Sequence, residues 1–260
     1  MKVNLLAISI GNTRTRIGAF VDGELERAAS VPSDDAAAVR EAVAAAVELL
    51  PREPGTVALV ASVDPTHTQA AMRLIRDEHK LPAYRVENDV PVPIGRQLDP
   101  ETIVGEDRLL NAAAAYDTVK QACIIVDAGT ALTVDFVDGA GTFHGGAIGP
   151  GARLMLDALH DETAQLPEVT VARPAEAIGH NTVEAMRSAM FHGMRGMVRE
   201  LVEQFAETAG QYPLVIATGG DAEMLFSDYE LIERIVPDLT LLGMAATYAA
   251  AARADAGGGE

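Results

Sequence analysis

Apolar residues fall into short blocks separated by turn residues, and the pattern of blocks occurs twice. Residues 7–28, AISIGNTRTRIGAFVDGELERA, run from an apolar strand through a Gly-Asn-Thr turn into a second β-rich strand, then past Asp-Gly into a third. Residues 124–146, IIVDAGTALTVDFVDGAGTFHGG, do the same. Phe20-Val21-Asp22-Gly23 matches Phe136-Val137-Asp138-Gly139 at an offset of 116 (139 − 23), whereas Gly11 and Gly129 match at 118 (129 − 11), so the first turns differ in size. Two copies half a chain apart are too few and too long for a solenoid and predict a duplicated domain. Asp-Gly between alternating runs is a hairpin signal, because both central positions of a type I′ turn need φ > 0. Each half is therefore expected to open with a three-stranded antiparallel meander, not a parallel Rossmann unit.

Helical patterns and shorter strands follow each meander. The Ala- and Glu-rich stretch from Asp34 to Leu50, closed by Pro51, predicts a helix. Residues Val57 to Val63 read as a strand and Gln69 to Glu78 as a helix. Asp99-Pro100 has the form of an N-cap followed by proline at the first helical position. It predicts a helix from there to Tyr116, broken near Gly105. In the second half, helices are expected over Arg153–Leu159, Thr182–Ala209 and Leu241–Ala252, with a strand over Leu214–Thr218. Lobes of 1–117 and 118–260 are the natural division, with a cleft between them.

Composition narrows the functional classes. With 20 basic and 38 acidic residues the formal charge is −18, and no basic stripe is present, which argues against nucleic acid as a partner. Anionic ligands would have to be met locally, by a metal ion, backbone N–H groups or single arginines. The one cysteine, Cys123, lies in an apolar run and reads as a core thiol, not a nucleophile. No segment reaches the roughly 20 apolar residues that span a bilayer, and the N-terminal run lacks a signal peptide's pattern, so a cytoplasmic protein is expected.

The candidate chemistry sits at turns. A strand ending in a small polar residue, then glycine, then a hydroxyl, can curl N–H groups around a phosphate. One such turn taken singly is more often a plain hairpin; two pseudo-equivalent copies resemble the nucleotide-clamping layout of the actin, Hsp70 and sugar-kinase superfamily. Gly105-Glu106-Asp107-Arg108 offers a carboxylate to accept a proton from an attacking hydroxyl and a cation to hold an anion, though the same residues also suit an ordinary helix surface. The segment Gly145–Gly151 reads as a constrained loop that either seats an anion at the next helix or only turns the chain. Thr218-Gly219-Gly220-Asp221 closes a strand where an adenosine-facing loop would fit. The six histidines show no metal-ligand spacing.

Taken in order, these elements resemble the type III pantothenate kinases. The matching residues are Gly11–Thr13, a proline-led Gly-x-Asp-Arg (Pro100, Gly105–Arg108), Asp127–Ala131, Gly145–Gly151, Gly179–Thr182 and Thr218–Asp221. The resemblance runs from about Leu5 to about Tyr248. It implies an α/β protein of duplicated ribonuclease-H-like lobes, as in the actin, Hsp70 and sugar-kinase superfamily, with nucleotide in the cleft. It implies ATP phosphates held by Ser9, Ile10, Gly11, Asn12, Thr13, Arg14, Thr15 and Arg16, with Thr130 contacting nucleotide from the opposite lobe. Pantothenate would be met by Gly105, Glu106, Asp107, Arg108 and Thr182, with Asp107 as the proton acceptor. Asp127 would hold a monovalent cation, K⁺ or NH₄⁺; Mg²⁺ would accompany ATP; and a homodimer would complete the pantothenate pocket.

Two positions depart from the family. Ser9 stands where the family carries aspartate, and the internal repeat exposes the same gap, since the second copy keeps Asp127 in that slot. Arg96, Gln97 and Leu98 stand where an aromatic residue is common. Serine is a weaker partner than a carboxylate for a hard divalent cation. A pseudo-kinase that binds ligand without turnover is therefore the rival expectation. A superfamily phosphotransferase acting on a sugar or acetate is a third, against which the Gly-x-Asp-Arg and Gly-x-Asn-Thr pair argues.

Overall fold

The computed structural model describes residues 3–52, 55–62 and 65–257. Its contacts divide the chain into two compact units: Met1–Gly95 with Asp99–Thr118 and Asp238–Glu260, and Arg96–Leu98 with Val119–Pro237.

The first unit is built on a five-stranded sheet ordered β3-β2-β1-β4-β5. Strands β1 (Leu5–Ile10), β2 (Arg14–Val21) and β3 (Glu24–Pro32) form the expected antiparallel meander. Strand β4 (Val57–Ser62) runs parallel to β1 and to β5 (Ala83–Arg85). Val63, expected to extend β4, lies outside the described residues. One sheet face packs Leu6, Ile8, Ile10, Ala58 and Val60 against Val43 and Ala46 of α1 (Ala36–Val47), and against Met72 of α2 (Pro65–Arg73) and Ile75 of the π-helical turn that extends it (Leu74–Glu78). The other face meets α7 (Leu239–Gly257), which packs on β1, β2 and β4. Coverage on both faces explains why β1 is apolar at nearly every position instead of alternating. Helix α1 starts where the sequence placed an acid: Asp35 accepts from the N–H groups of Ala37 and Ala38.

The second unit carries a six-stranded sheet ordered β11-β10-β7-β8-β9-β6. The chain enters it through β6 (Gly95–Arg96). Its meander, β7 (Cys123–Ala128), β8 (Ala131–Val137) and β9 (Thr142–Pro150), is antiparallel, and β10 (Leu214–Thr218) and β11 (Arg234–Ile235) add in parallel. Ile124, Val126, Leu132 and Val134 pack against α4 (Ala152–Asp161), α5 (Thr182–Ala209) and α6 (Ala222–Phe226). Helix α5 has the predicted limits because its ends are capped: Asn181 accepts from Glu184 N–H, Glu184 accepts in turn from His180 N–H, and Gly210 closes the helix at φ +66°. Cys123 is fully buried, and burial pushes its thiol up to about 12.

Three expectations fail. Asp99-Pro100 opens only a turn, in which Thr102 N–H reaches Asp99 O; the helix, α3 (Glu106–Val119), begins after Gly105. The segment Gly145–Gly151 is no loop, since all but its last residue belong to β9. Its glycines serve close approach: a Cβ on Gly146 would lie 1.9 Å from Val134 O, and one on Gly151 2.2 Å from Gly129 O. Finally, the Phe-Val-Asp-Gly match is out of step with the fold. Leu5 pairs with Phe20 and Cys123 with Val137, so Phe20 corresponds to Val137 at 117 (137 − 20), not to Phe136. Only Asp22-Gly23 makes the two-residue turn, with both residues at positive φ; the second copy closes through Gly141 at φ +79°.

Candidate active site

In the first unit the candidate residues gather at the C-terminal ends of β1 and β4. Ser9 and Ile10 end β1, and Gly11–Thr13 form the turn into β2, with Gly11 N–H donating to Arg14 O. The turn is braced from the end of β3: Ser33 Oγ donates to Gly11 O at 2.8 Å and lies 3.1 Å from Thr15 Oγ1, while Ser33 N–H donates to Thr13 O. Arg14 turns its guanidinium onto Ser30, through Oγ at 2.7 Å and the carbonyl at 2.5 Å. Ser9 pairs across the strands with Arg16. Ser33 escaped the sequence reading because it lies 22 residues from Gly11; only the sheet brings its hydroxyl to the Gly11–Thr13 turn.

Strand β4 brings the second set alongside. Ser62 pairs with Ile10, and its N–H donates to Glu106 Oε2 at 2.9 Å. Glu106 and Asp107 form the first turn of α3, where the helix N-terminus favours acids. The Asp107 carboxylate folds back to accept from Arg108 N–H at 2.8 Å, and Gly105 leaves room for it: a Cβ there would lie 2.6 Å from Oδ1. Burial raises the Glu106 carboxyl above the usual range; the Ser62 N–H and the charge of Arg85 oppose this, and Glu87 and Asp107 add to it.

In the second unit Asp127 and Ala128 end β7, and Gly129-Thr130 turn into β8. Asp127 pairs with Thr133 and, on its other side, with Thr218 of β10. Gly151 N–H donates to Thr130 O, tying the turn to the start of α4. Beyond Thr218, Gly219 lies against the Ala128 backbone, and Asp221 N–H donates to Ala128 O at 3.0 Å. Burial raises the Asp221 carboxyl as well. Thr182 is exposed on the first turn of α5. Thus Asp127, Thr130 and the Thr-Gly-Gly-Asp segment share a sheet end, while Thr182 is carried by a separate helix.

The donor sets differ in the cation they suit. Residues Ser9–Arg16 contain hydroxyls and two arginines but no carboxylate, which does not fit direct coordination of Mg²⁺. Asp127, with hydroxyls on both paired strands, fits an oxygen-liganded cation of low charge. Among the described residues no three His, Cys, Asp or Glu side chains cluster to hold a metal ion.

Two mixed sheets, each opened by an antiparallel meander and extended by parallel strands, have the fold of the actin, Hsp70 and sugar-kinase proteins. MreB 5 of Spiroplasma citri superimposes with a TM-score of 0.52 at 10% identity, covering 99% of both chains. The ROK hexokinase of Thermus thermophilus gives 0.50 at 16%, covering 97% of this chain and 100% of its own. The sequence carries the assignment further. Residues 5–204 match the type III pantothenate kinase family. A type III pantothenate kinase of Rhodospirillum rubrum is 38% identical over 248 residues, 92% of this chain and 96% of that one. The chain belongs to the type III pantothenate kinase family. No helix among the described residues is long and apolar enough to cross a membrane.

Proposed function

We propose that this protein transfers the γ-phosphate of ATP to the primary hydroxyl of pantothenate, giving 4′-phosphopantothenate, the entry to coenzyme A synthesis. The observation that carries the reading is the placement of Asp107. It stands on the first turn of α3, tied through Glu106 to the strand end beside the Gly11–Thr13 turn. There Asp107 accepts the proton of the attacking hydroxyl, and Arg108 and the helix N-terminus offset the negative charge of the reactants. Residues Ser9–Arg16 and Thr130 hold ATP, Gly105, Asp107, Arg108 and Thr182 hold pantothenate, and Asp127 holds K⁺ or NH₄⁺. Mg²⁺ enters with the nucleotide, carried mainly by its phosphates. The working form is a cytoplasmic homodimer.

The test is pantothenate-dependent ADP release from ATP and Mg²⁺, with and without K⁺. Turnover that needs pantothenate and rises with K⁺ is expected. Asp107→Asn lowers kcat by roughly 10²–10⁴ with the fold intact; undiminished turnover removes Asp107 from the role. One observation favours a second reading: the first turn lacks the acid that its repeat keeps at Asp127. A silent wild type revived by Ser9→Asp would mark a pseudo-kinase, disarmed at its metal site. Turnover on sugars or acetate in place of pantothenate would mark another phosphotransferase of the class.

A further inference from the structure

Glu106 sits between two candidate residues, Gly105 and Asp107, and invites assignment as a substrate contact. Its carboxylate is engaged elsewhere. Oε2 accepts the N–H of Ser62, a residue 44 positions earlier in the chain, at 2.9 Å in a partly buried setting. Ser62 is the last residue of β4 and pairs with Ile10, which immediately precedes the Gly11–Thr13 turn. The bond therefore joins the first turn of α3 to the strand neighbouring the phosphate-type turn.

An acid at a helix start needs no special account, since the helix dipole favours it. Dipole compensation asks only for charge near the helix end. It does not call for a carboxylate half-buried against a distant backbone N–H, where desolvation opposes the charged form. Arg85 is the cation beside it, and Glu87 and Asp107 are the acids. We propose that Glu106 is a positioning residue: the Glu106–Ser62 bond locks the start of α3 onto β4 and thereby sets where the Asp107 carboxylate stands relative to the Gly11–Thr13 turn. This rests on the pantothenate kinase reading for its catalytic consequence, though not for the strut itself. It also divides the labour of the motif: Gly105 clears space for the Asp107 carboxylate, Glu106 anchors the turn, and Asp107 meets the substrate.

The experiment compares Glu106→Ala, Glu106→Gln and wild type in steady-state kinetics and in amide hydrogen exchange at Ser62. Glutamine keeps an oxygen acceptor of the same reach and loses the charge. The alanine variant is expected to lose roughly 10- to 100-fold in kcat, the scale of an ångström-sized misplacement, with the pantothenate KM within about threefold of wild type. It should also lose exchange protection at Ser62. The glutamine variant should recover most of both. A raised pantothenate KM at unchanged kcat in Glu106→Ala would show a direct substrate contact and overturn the proposal. So would a glutamine variant no better than alanine, or Ser62 protection unchanged in Glu106→Ala. If alanine prevents folding, Glu106→Met, similar in length but without an acceptor, takes its place. A wild type silent toward pantothenate overturns the proposed function and the catalytic half of this inference, while exchange at Ser62 still decides the strut.

Discussion

The two meanders share a scaffold and differ at their tips. From Thr15 and Leu132 onward the second strands correspond at a constant 117 (132 − 15), with Ile17 matching Val134 and Phe20 matching Val137, all four buried. The turns before them do not match. The first holds three residues (11–13), sets Ser9 opposite Arg16, and is braced by Ser33; the second holds two (129–130), sets Asp127 opposite Thr133, and is braced by Gly151. Packing allows little freedom in the strands, because a one-residue slip would turn every core side chain to the wrong face. At the tips, Asn12, Thr13 and Thr130 are exposed, so their side chains are free to diverge in chemistry. The first copy is cationic where the second is anionic.

The largest effect should come from the brace of the second turn. A Cβ on Gly151 would stand 2.2 Å from Gly129 O and 2.6 Å from Thr130 O, both backbone atoms that cannot swing aside. Gly151→Ala is expected to cost about 3 kcal/mol or more, the upper range of overpacking, as read by urea denaturation. Next comes the acid itself. Asp127→Ser gives the second turn the first turn's residue and should weaken K⁺ activation at least roughly tenfold, by analogy with losses around metal sites. Ser9→Asp is the converse and should lower the Mg²⁺ concentration needed for half-maximal rate. Unchanged cation dependence in both variants would mean that the charge difference between the turns has no catalytic meaning.

Much of this was legible in the sequence, for physical reasons that also set the limits. The meanders were readable because apolar runs and turn residues alternate on the scale of a strand, and α5 was readable to the residue because Asn181 and Gly210 cap it. Segment Gly145–Gly151 misled because glycine serves two ends: it frees loops, and it lets backbones approach within a sheet. Asp99-Pro100 misled because N-cap and turn share the same residues. At the site, Asp107 and Asp127 were visible as acids beside glycines, whereas the brace from Ser33 and the Glu106–Ser62 bond join residues far apart in sequence and leave no local pattern.

The hairpin tips give a smaller effect that separates alignment from structure. Sequence matching equates Gly23 with Gly139. In the fold Gly23 sits at φ +95°, and Gly139 is outside the left-handed region, where Gly141 takes the role. Neither Gly23 nor Gly139 has any atom within 4 Å of an added Cβ, so sterics against neighbours cannot confuse the result. Gly23→Ala should cost about 1–2 kcal/mol from backbone strain, and Gly139→Ala less than about 0.5 kcal/mol. Equal costs would restore the alignment and contradict the register.

The smallest effect concerns the half-buried acids. Each copy places one at the end of the strand parallel to its first: Glu106 at β4 and Asp221 at β10. Burial raises both carboxyls, so in each case the folded state holds its proton more tightly than the unfolded chain does. The favourable contribution is full below the ordinary carboxylate range and is lost as pH rises through the folded value. Replacing either acid by its amide should therefore raise Tm at pH 7, with the gain vanishing toward about pH 3. The two gains should differ. Ser62 N–H and Arg85 offset the burial of Glu106, whereas desolvation alone acts on Asp221, whose side chain makes no capping bond to α6. Asp221→Asn should therefore stabilise more than Glu106→Gln at pH 7. The reverse order in a pH series of thermal melts would mean that the Ser62 bond does not hold the Glu106 carboxylate in place, and Asp221 would then be the better supported of the pair.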